Sequence, residues 1–369
     1  MEKWINEVWS KIEKKLSHTN ETVGSSIFPY TTDENGRFKP SPNEGISWWT
    51  NGFWPGIQWL MYSETGKECY KKVANELEDK LDEALYGFDG LHHDVGFMWL
   101  ISAGANYRLT ANEMSKRRSL IAANFLAGRY NPVGNFIRAW NDDKIGWAII
   151  DCMMNLPLLY WASEETGDPR FSQIAQNHAN TAMNTFVRPD GSVNHINVYD
   201  PYTGEFLETL TGQGYGVGSS WTRGQAWGIY GFVLSYIHTQ KQEYLDTAKR
   251  IAHYFISALG DDFVPPCDFR SPKEPVYKDT TAGAVAACGL LEIANAVGDA
   301  EGAMYKDAAI KILKAMEDRC CDWTEDNDAI LHMGTEAYEF GGKNIPIIYG
   351  DFFFIEAILK LKGSKFLPW

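Results

Sequence analysis

An alternation of two kinds of helix is the feature that most narrows what this chain can fold into. Trp4, Ile5, Val8, Trp9, Ile12 and Leu16 recur at three- and four-residue spacing with Lys and Glu between them, the pattern of an amphipathic helix. The same reading predicts helices near 50–65, 68–87, 94–109, 111–129, 146–166, 168–186, 221–240, 242–259, 280–298, 302–319 and 349–362, about twelve in all. Some, such as 68–86 and 243–259, carry charge along one face; others, such as 146–162, 221–237 and 280–297, are apolar nearly all round. A helix apolar on every side is buried on every side, whereas an amphipathic one keeps a solvent face. The alternation therefore predicts an inner ring of helices wrapped by an outer ring: an all-α (α/α)6 toroid of six helical hairpins.

The junctions fit such a repeat. SETGKECY (63–70), SEETGDPRF (163–171) and NAVGDAEGAMY (295–305) each close an apolar helix with a glycine and open an amphipathic one. Gly66, Gly167 and Gly298 suit a left-handed helix end, and Asp168-Pro169 suits an N-cap followed by proline. Alternating strand patterns are few, with short strands expected near 193–199 and 205–210. Segments 18–48 and 187–220, rich in Gly, Ser, Thr, Asn and Pro, are long enough to carry function over one mouth of the toroid. No linker or low-complexity tract divides the chain, so residues 1–369 read as one domain.

Composition removes whole classes of function. With 34 basic and 48 acidic residues the net charge is −14, unsuited to tracking a nucleic-acid backbone or an anionic membrane surface. The N-terminal stretch lacks an apolar secretion core, and no uninterrupted apolar run is long enough for a membrane span. Six cysteines show no zinc-type or disulfide-type spacing, and a cytoplasmic location is expected. The 14 tryptophans, 18 tyrosines and 19 phenylalanines allow two readings: an aromatic core, or rings that stack on sugar faces.

A few polar residues stand out against this background. Asp151 lies inside the apolar run KIGWAIIDCMMNLPLLYW, where desolvation is expected to raise its pKa and suit it to general-acid work, unless a backbone amide or an Arg simply satisfies it. Asp94, in LHHDVGFMW, reads either as a helix N-cap or as a second functional carboxylate. No metal is expected at His92, His93 and Asp94, since adjacent ligands do not easily share one ion and no HExxH-type spacing occurs. Arg223 is the only cation in the buried stretch 221–237, so it pairs either with an aspartate of another inner helix or with an anionic ligand. His195 and Gln213 lie in the polar segment just before it. Asp94, Arg223, Asp279 and Asp351 all stand near inner-helix starts, and parallel inner helices would bring those starts, with their partial positive charge, to one mouth. Such a mouth suits an acidic sugar even on an acidic protein.

These residues carry a resemblance. SWWTNGFWPG (47–56), LHHDVGFMW (91–99), AIIDCMMNLPLLYWASEETGD (148–168), SSWTRGQAWGIYGF (219–232), TAGAVAACGLLEIA (281–294) and YGDFFFIEAIL (349–359) together resemble the unsaturated glucuronyl hydrolases of glycoside hydrolase family 88, in order and over nearly the whole chain. The resemblance implies an (α/α)6 barrel, cytoplasmic in many bacteria, that acts without cofactor or metal. It removes the 4,5-unsaturated uronic acid left at the non-reducing end of glycosaminoglycan oligosaccharides by lyases. It implies Asp151 as general acid and base and Asp94 as the second essential carboxylate. It further implies substrate contacts by Trp49, His93, Trp140, His195, Gln213, Arg223 and Trp227. The expected partner is thus an unsaturated uronyl di- or oligosaccharide, with no nucleic acid or membrane; the residues fix no oligomeric state. An unsaturated rhamnogalacturonyl hydrolase and a non-catalytic oligosaccharide-binding protein are the competing readings. Members preferring sulfated fragments carry a Ser- and Lys-containing motif near the C-terminus, whereas AYEFGGKNIPIIYGD (337–351) has Lys343 but no serine, which argues against a sulfated preference.

Overall fold

The computed structural model describes residues 1–41, 45–88 and 90–369; residues 42–44 of the first long polar segment lie outside it. Six helices are buried nearly all round, as their composition requires: Phe53–Thr65, a helix running from Val95 to Thr110, Leu156–Thr166, Thr222–Thr239, Thr280–Val297 and Ile348–Lys362. The second of these is α-helical over Val95–Trp99 and Ala105–Thr110, with a π-helical turn over Leu100–Gly104. Each packs against its neighbours in a closed ring, the last returning to the first.

Six amphipathic helices cover the ring: Glu2–Val23, Glu68–Gly87, Glu113–Gly128, Pro169–Thr185, Gln242–Leu259 and Asp299–Cys320. Five inner–outer pairs are consecutive in sequence. The sixth joins the chain's two ends, with Glu2–Val23 packed on Ile348–Lys362. The predicted toroid is the observed architecture.

Thr280–Val297 is long and apolar enough to cross a membrane, alone among the described helices, but it is an inner helix enclosed by its neighbours. Gly66 and Gly167 take the expected left-handed conformation, whereas Gly298 combines positive φ with extended ψ and serves as the start of the next helix. Asp168 accepts from the Arg170 amide ahead of Pro169, as expected of an N-cap.

One predicted helix is corrected. The stretch 146–166 is not a single helix: Trp147–Ile149 is a strand, Ile150–Met154 a 3-10 turn, and the helix begins at Leu156. Trp147–Ile149 pairs antiparallel with Ile196–Tyr199, which pairs in turn with Phe206–Leu210. Pro157 then fits the first helical turn, where its missing N–H costs nothing. Apolar periodicity alone cannot separate a short buried strand from a helix. The consequence is positional: Asp151 stands in a turn at the end of the inner helix rather than within it.

Most of the aromatic content is core. Trp54, Trp59, Trp99 and Trp227 are fully buried. Phe53, Phe97, Tyr349, Phe352, Phe353 and Trp227 interlock ring against ring inside the barrel. Trp369 closes this stack against Phe353, centroids 5.8 Å apart and nearly parallel. Centroid spacings of this order are the favourable range for aromatic pairs.

Candidate active site

The first turns of the inner helices meet at one mouth. Trp49 packs on Phe97 and Tyr349, Asn155 reaches Asp94, and Arg223 reaches Asp279, so residues preceding or opening all six helices are brought together. The inner helices are therefore parallel, as expected.

Asp94 occupies the N-cap position of its helix, yet its side chain makes no capping bond. The carboxyl is instead held by Asn155, whose Nδ2 donates to Asp94 Oδ1 at 2.9 Å. Asn155 Oδ1 accepts from the Phe97 amide at 3.0 Å, and its Nδ2 lies 3.5 Å from the Asp151 carbonyl oxygen. One amide side chain thus ties the two carboxylate-bearing segments together. Burial, and next the charge of Asp151, push the Asp94 carboxyl up to about 8, opposed by the Asn155 hydrogen bond. The two carboxyl side chains are almost equally withdrawn from solvent, 11% exposed for Asp94 and 13% for Asp151.

Asp151 faces His195, with Oδ1 3.5 Å from Nε2, and neither atom has a protein hydrogen-bond partner. The His195 ring is oriented from behind. Its Nδ1 accepts from the Gln213 amide at 3.0 Å, which leaves the ring proton on Nε2, directed toward Asp151. Trp221 supports the ring at a centroid distance of 4.1 Å. This approach requires Gly212: a Cβ there would lie 2.0 Å from His195 Nδ1, and its φ of +61° is itself in the left-handed region.

The polar groups on the other side form a brace. Arg223 is 2% exposed and lies over Trp221. Its guanidinium donates to Asp279, to the Thr335 carbonyl at 2.8 Å and to the Glu336 carbonyl at 2.7 Å. Of its two readings, the inter-helix pair with an aspartate is what the fold contains. Gln213 joins the brace, its Nε2 donating to the Glu336 carbonyl at 2.8 Å.

The remaining expected contacts divide by exposure. Trp49 and Trp140 are half-buried, Trp140 against Trp147 at the strand leading to Asp151. Trp227 is fully buried between Phe97, Tyr349 and Phe353, beneath the site rather than open to it. His93 is fully buried beside Asp94. Asp351 accepts from the Ile330 and Leu331 amides and so anchors a loop.

Asn155, Glu336 and Tyr349 are the residues that sequence reasoning missed. Asn155 carried a signal: it is the one polar side chain a helical turn beyond Asp151 in an apolar run. Glu336 gave none, because what it contributes to Arg223 and Gln213 is a backbone carbonyl.

The profile of Glycosyl Hydrolase Family 88 matches residues 19–342. The chain belongs to this family. Its glycosidase activity follows from that membership. An unsaturated glucuronyl hydrolase of Bacillus sp. (strain GL1) is 38% identical over 93% of this chain and 93% of its own length. An unsaturated chondroitin disaccharide hydrolase of Streptococcus pneumoniae is 33% identical over 87% of this chain and 83% of its own. Among solved structures, the unsaturated glucuronyl hydrolase of Streptococcus agalactiae superposes with a TM-score of 0.93 at 31% identity, covering 100% of this chain and 94% of that one. The barrel is the fold that the sequence resemblance implied.

Proposed function

We propose that this glycosidase removes the 4,5-unsaturated uronic acid from the non-reducing end of lyase-generated glycosaminoglycan oligosaccharides, with hyaluronan or chondroitin as the source. The names of the family relatives support the substrate class. The observation that carries the chemistry is the pairing of Asp94 and Asp151 through Asn155 at the convergence of the inner-helix starts, with His195 aimed at Asp151.

The substrate is a vinyl ether, so the proton goes to carbon. Asp151 protonates C4 of the C4=C5 bond, and its carboxylate then takes a proton from water as that water adds at C5. The product is a hemiketal. That proton from water returns Asp151 to its acid form; ring opening then gives a ketone at C5 and a hemiacetal at C1, whose collapse to an aldehyde releases the second sugar with the hemiacetal proton on its oxygen. A single carboxyl serves both steps, so the carboxylate spacing that separates retaining from inverting glycosidases does not apply. Asp94, neutral below about pH 8, adds no second negative charge beside the anionic substrate.

Substrate recognition is assigned to the half-buried rings of Trp49 and Trp140, with Gln213 and His195 at the mouth. Arg223 and Trp227 act from below, as positioning residues that hold the 335–336 strap and the aromatic floor. Lys343 donates to the Phe340 and Gly341 carbonyls of its own loop, which supports an unsulfated preference. All six cysteines are free even though Cys320 and Cys321 are adjacent, in keeping with a cytoplasmic, single-domain enzyme.

The test is turnover of unsaturated disaccharides from hyaluronan, chondroitin sulfates, heparin and pectin-lyase digests, followed by loss of the conjugated-alkene absorbance. Activity is expected on the hyaluronan disaccharide and, among the chondroitin disaccharides, most on the unsulfated one, and is abolished in Asp151→Asn with binding retained. Undiminished decay in Asp151→Asn, or activity on pectin products alone, overturns the proposal.

A further inference from the structure

His92, His93 and Asp94 were set aside as metal ligands because they are consecutive, yet the fold gathers their donor atoms. His92 Nδ1 lies 3.3 Å from Asp94 Oδ2, His93 Nε2 lies 3.4 Å from Asp94 Oδ1, and one ligand atom from each residue lies within 4.8 Å of the others; an ion on His92 Nδ1 replaces the long hydrogen bond, 3.4 Å, that it accepts from the Asp94 amide. Two atoms bound to one zinc ion at about 2.0–2.1 Å and at the tetrahedral angle are about 3.3–3.4 Å apart. Both imidazole–carboxylate separations already have that length.

A second observation points to a ligand. The His93 side chain is wholly buried, and neither ring nitrogen has a protein partner. Leaving a buried donor or acceptor unpaired costs about 1–3 kcal/mol. The other two residues keep the cluster open to the mouth, with 17% of the His92 and 11% of the Asp94 side chain exposed. The nearby cation, Arg129, is turned away: its guanidinium is bound to the Arg138, Ala139 and Trp140 carbonyls and the Asn141 side chain.

We propose that His92, His93 and Asp94 form an inhibitory site for a divalent transition-metal ion. Two imidazoles, one carboxylate and an open face suit Zn2+, Co2+, Ni2+ or Cu2+ rather than Mg2+ or Ca2+. A bound ion engages the Asp94 carboxylate and withdraws it from the carboxyl pair. Metal binding stands on the geometry alone; the inhibition rests on the proposed hydrolase function.

The experiment uses untagged, chelator-stripped protein titrated with Co2+ and Zn2+. Co2+ is expected to bind one per chain with the intense visible absorption of a four- or five-coordinate ion, and Zn2+ to displace it. His92→Ala is expected to weaken Zn2+ binding at least tenfold while its melting curve remains that of a folded protein. Turnover should fall with the same Zn2+ midpoint as binding. The weak spectrum of octahedral Co2+, or unchanged Zn2+ affinity in folded His92→Ala, overturns the site. Robust turnover untouched by saturating Zn2+ overturns the inhibition alone. Stoichiometric Zn2+ binding by a protein that turns over no unsaturated uronide without metal leaves the site standing and refutes the hydrolase reading.

Discussion

Two of the regions in which this barrel buries ionisable groups treat them in opposite ways. Deep among the inner helices, Lys360 bonds Glu292 and lies 3.2 Å from Glu356, while Glu356 also accepts from Tyr230 and, at 3.1 Å, from the Trp369 indole. Every charge there has an opposite charge or a donor against it. At the mouth, one amide serves the Asp94 carboxyl and the Asp151 backbone carbonyl, and Asp151 Oδ1, His195 Nε2 and both His93 nitrogens have no protein hydrogen-bond partner. Burial alone therefore marks neither region as functional. Satisfied burial is architecture, and unsatisfied burial around a cavity mouth is where a ligand completes the structure.

Arg223 sits on the border between the two regions, so the largest expected effect tests to which it belongs. Arg223→Met leaves the fully buried Asp279 carboxylate without its cation and the Thr335 carbonyl without its donor, while Glu336 keeps only Gln213. Breaking a buried pair in this way costs about 3–5 kcal/mol. Denaturant titration should show that loss, and adding Asp279→Asn should recover at least about 1 kcal/mol of it. A stable Arg223→Met with only a raised KM would move Arg223 into the ligand-completed class.

Asp94→Asn sharpens the contrast from the other side. The change keeps an acceptor for Asn155 but removes the carboxyl; kcat should fall about 10²–10³-fold, the loss typical of a preorganised active-site group. Stability should move the opposite way. The folded-state value of about 8 lies above the ordinary 3.8, so the folded protein binds this proton more tightly than the unfolded chain. Stability from this group is complete below about pH 4, declines as pH rises, and levels off above about pH 8. The Asn variant should consequently melt several degrees higher than the parent at pH 8, with the gap closing near pH 4. Equal melting curves at pH 8 would mean that Asp94 is not the strained carboxyl.

The toroid was legible because its evidence is repetitive: each helix independently states whether it has a solvent face, and glycine junctions such as 66 and 167 punctuate the pairs. Asp94 and Asp151 were legible as charges in apolar surroundings. Their contacts were not: the strand at Trp147–Ile149 and the turn after it set Asp151 beside His195, and Asn155 ties Asp94 to the same segment, none of which periodicity encodes. The tryptophans show the same limit. Trp227 and Trp140 look alike in sequence, but one is sealed under the floor and the other is half-open beside Trp147. Trp140→Ala should therefore raise KM by roughly tenfold, within the range that an aromatic contact supplies, with an unchanged melting curve. A large loss of stability would place its ring in the core instead.

The smallest expected effect concerns Asn155, the one residue that touches both carboxylate segments. Its hydrogen bond favours the charged form of Asp94 and so opposes the upward push of burial. Asn155→Ala removes that opposition, and the Asp94 proton should be held to higher pH. If turnover needs Asp94 neutral, the alkaline limb of the kcat profile, expected near pH 8, should move upward by up to about one pH unit, since one such unit corresponds to about 1.4 kcal/mol, the worth of a hydrogen bond to a charged group. The variant also strands the Phe97 amide, so some loss of stability is expected whatever the role of Asn155. The limb separates the two effects: a residue that only supports the helix start lowers the melting temperature and leaves the limb where it was, whereas a residue that sets the proton of Asp94 moves both.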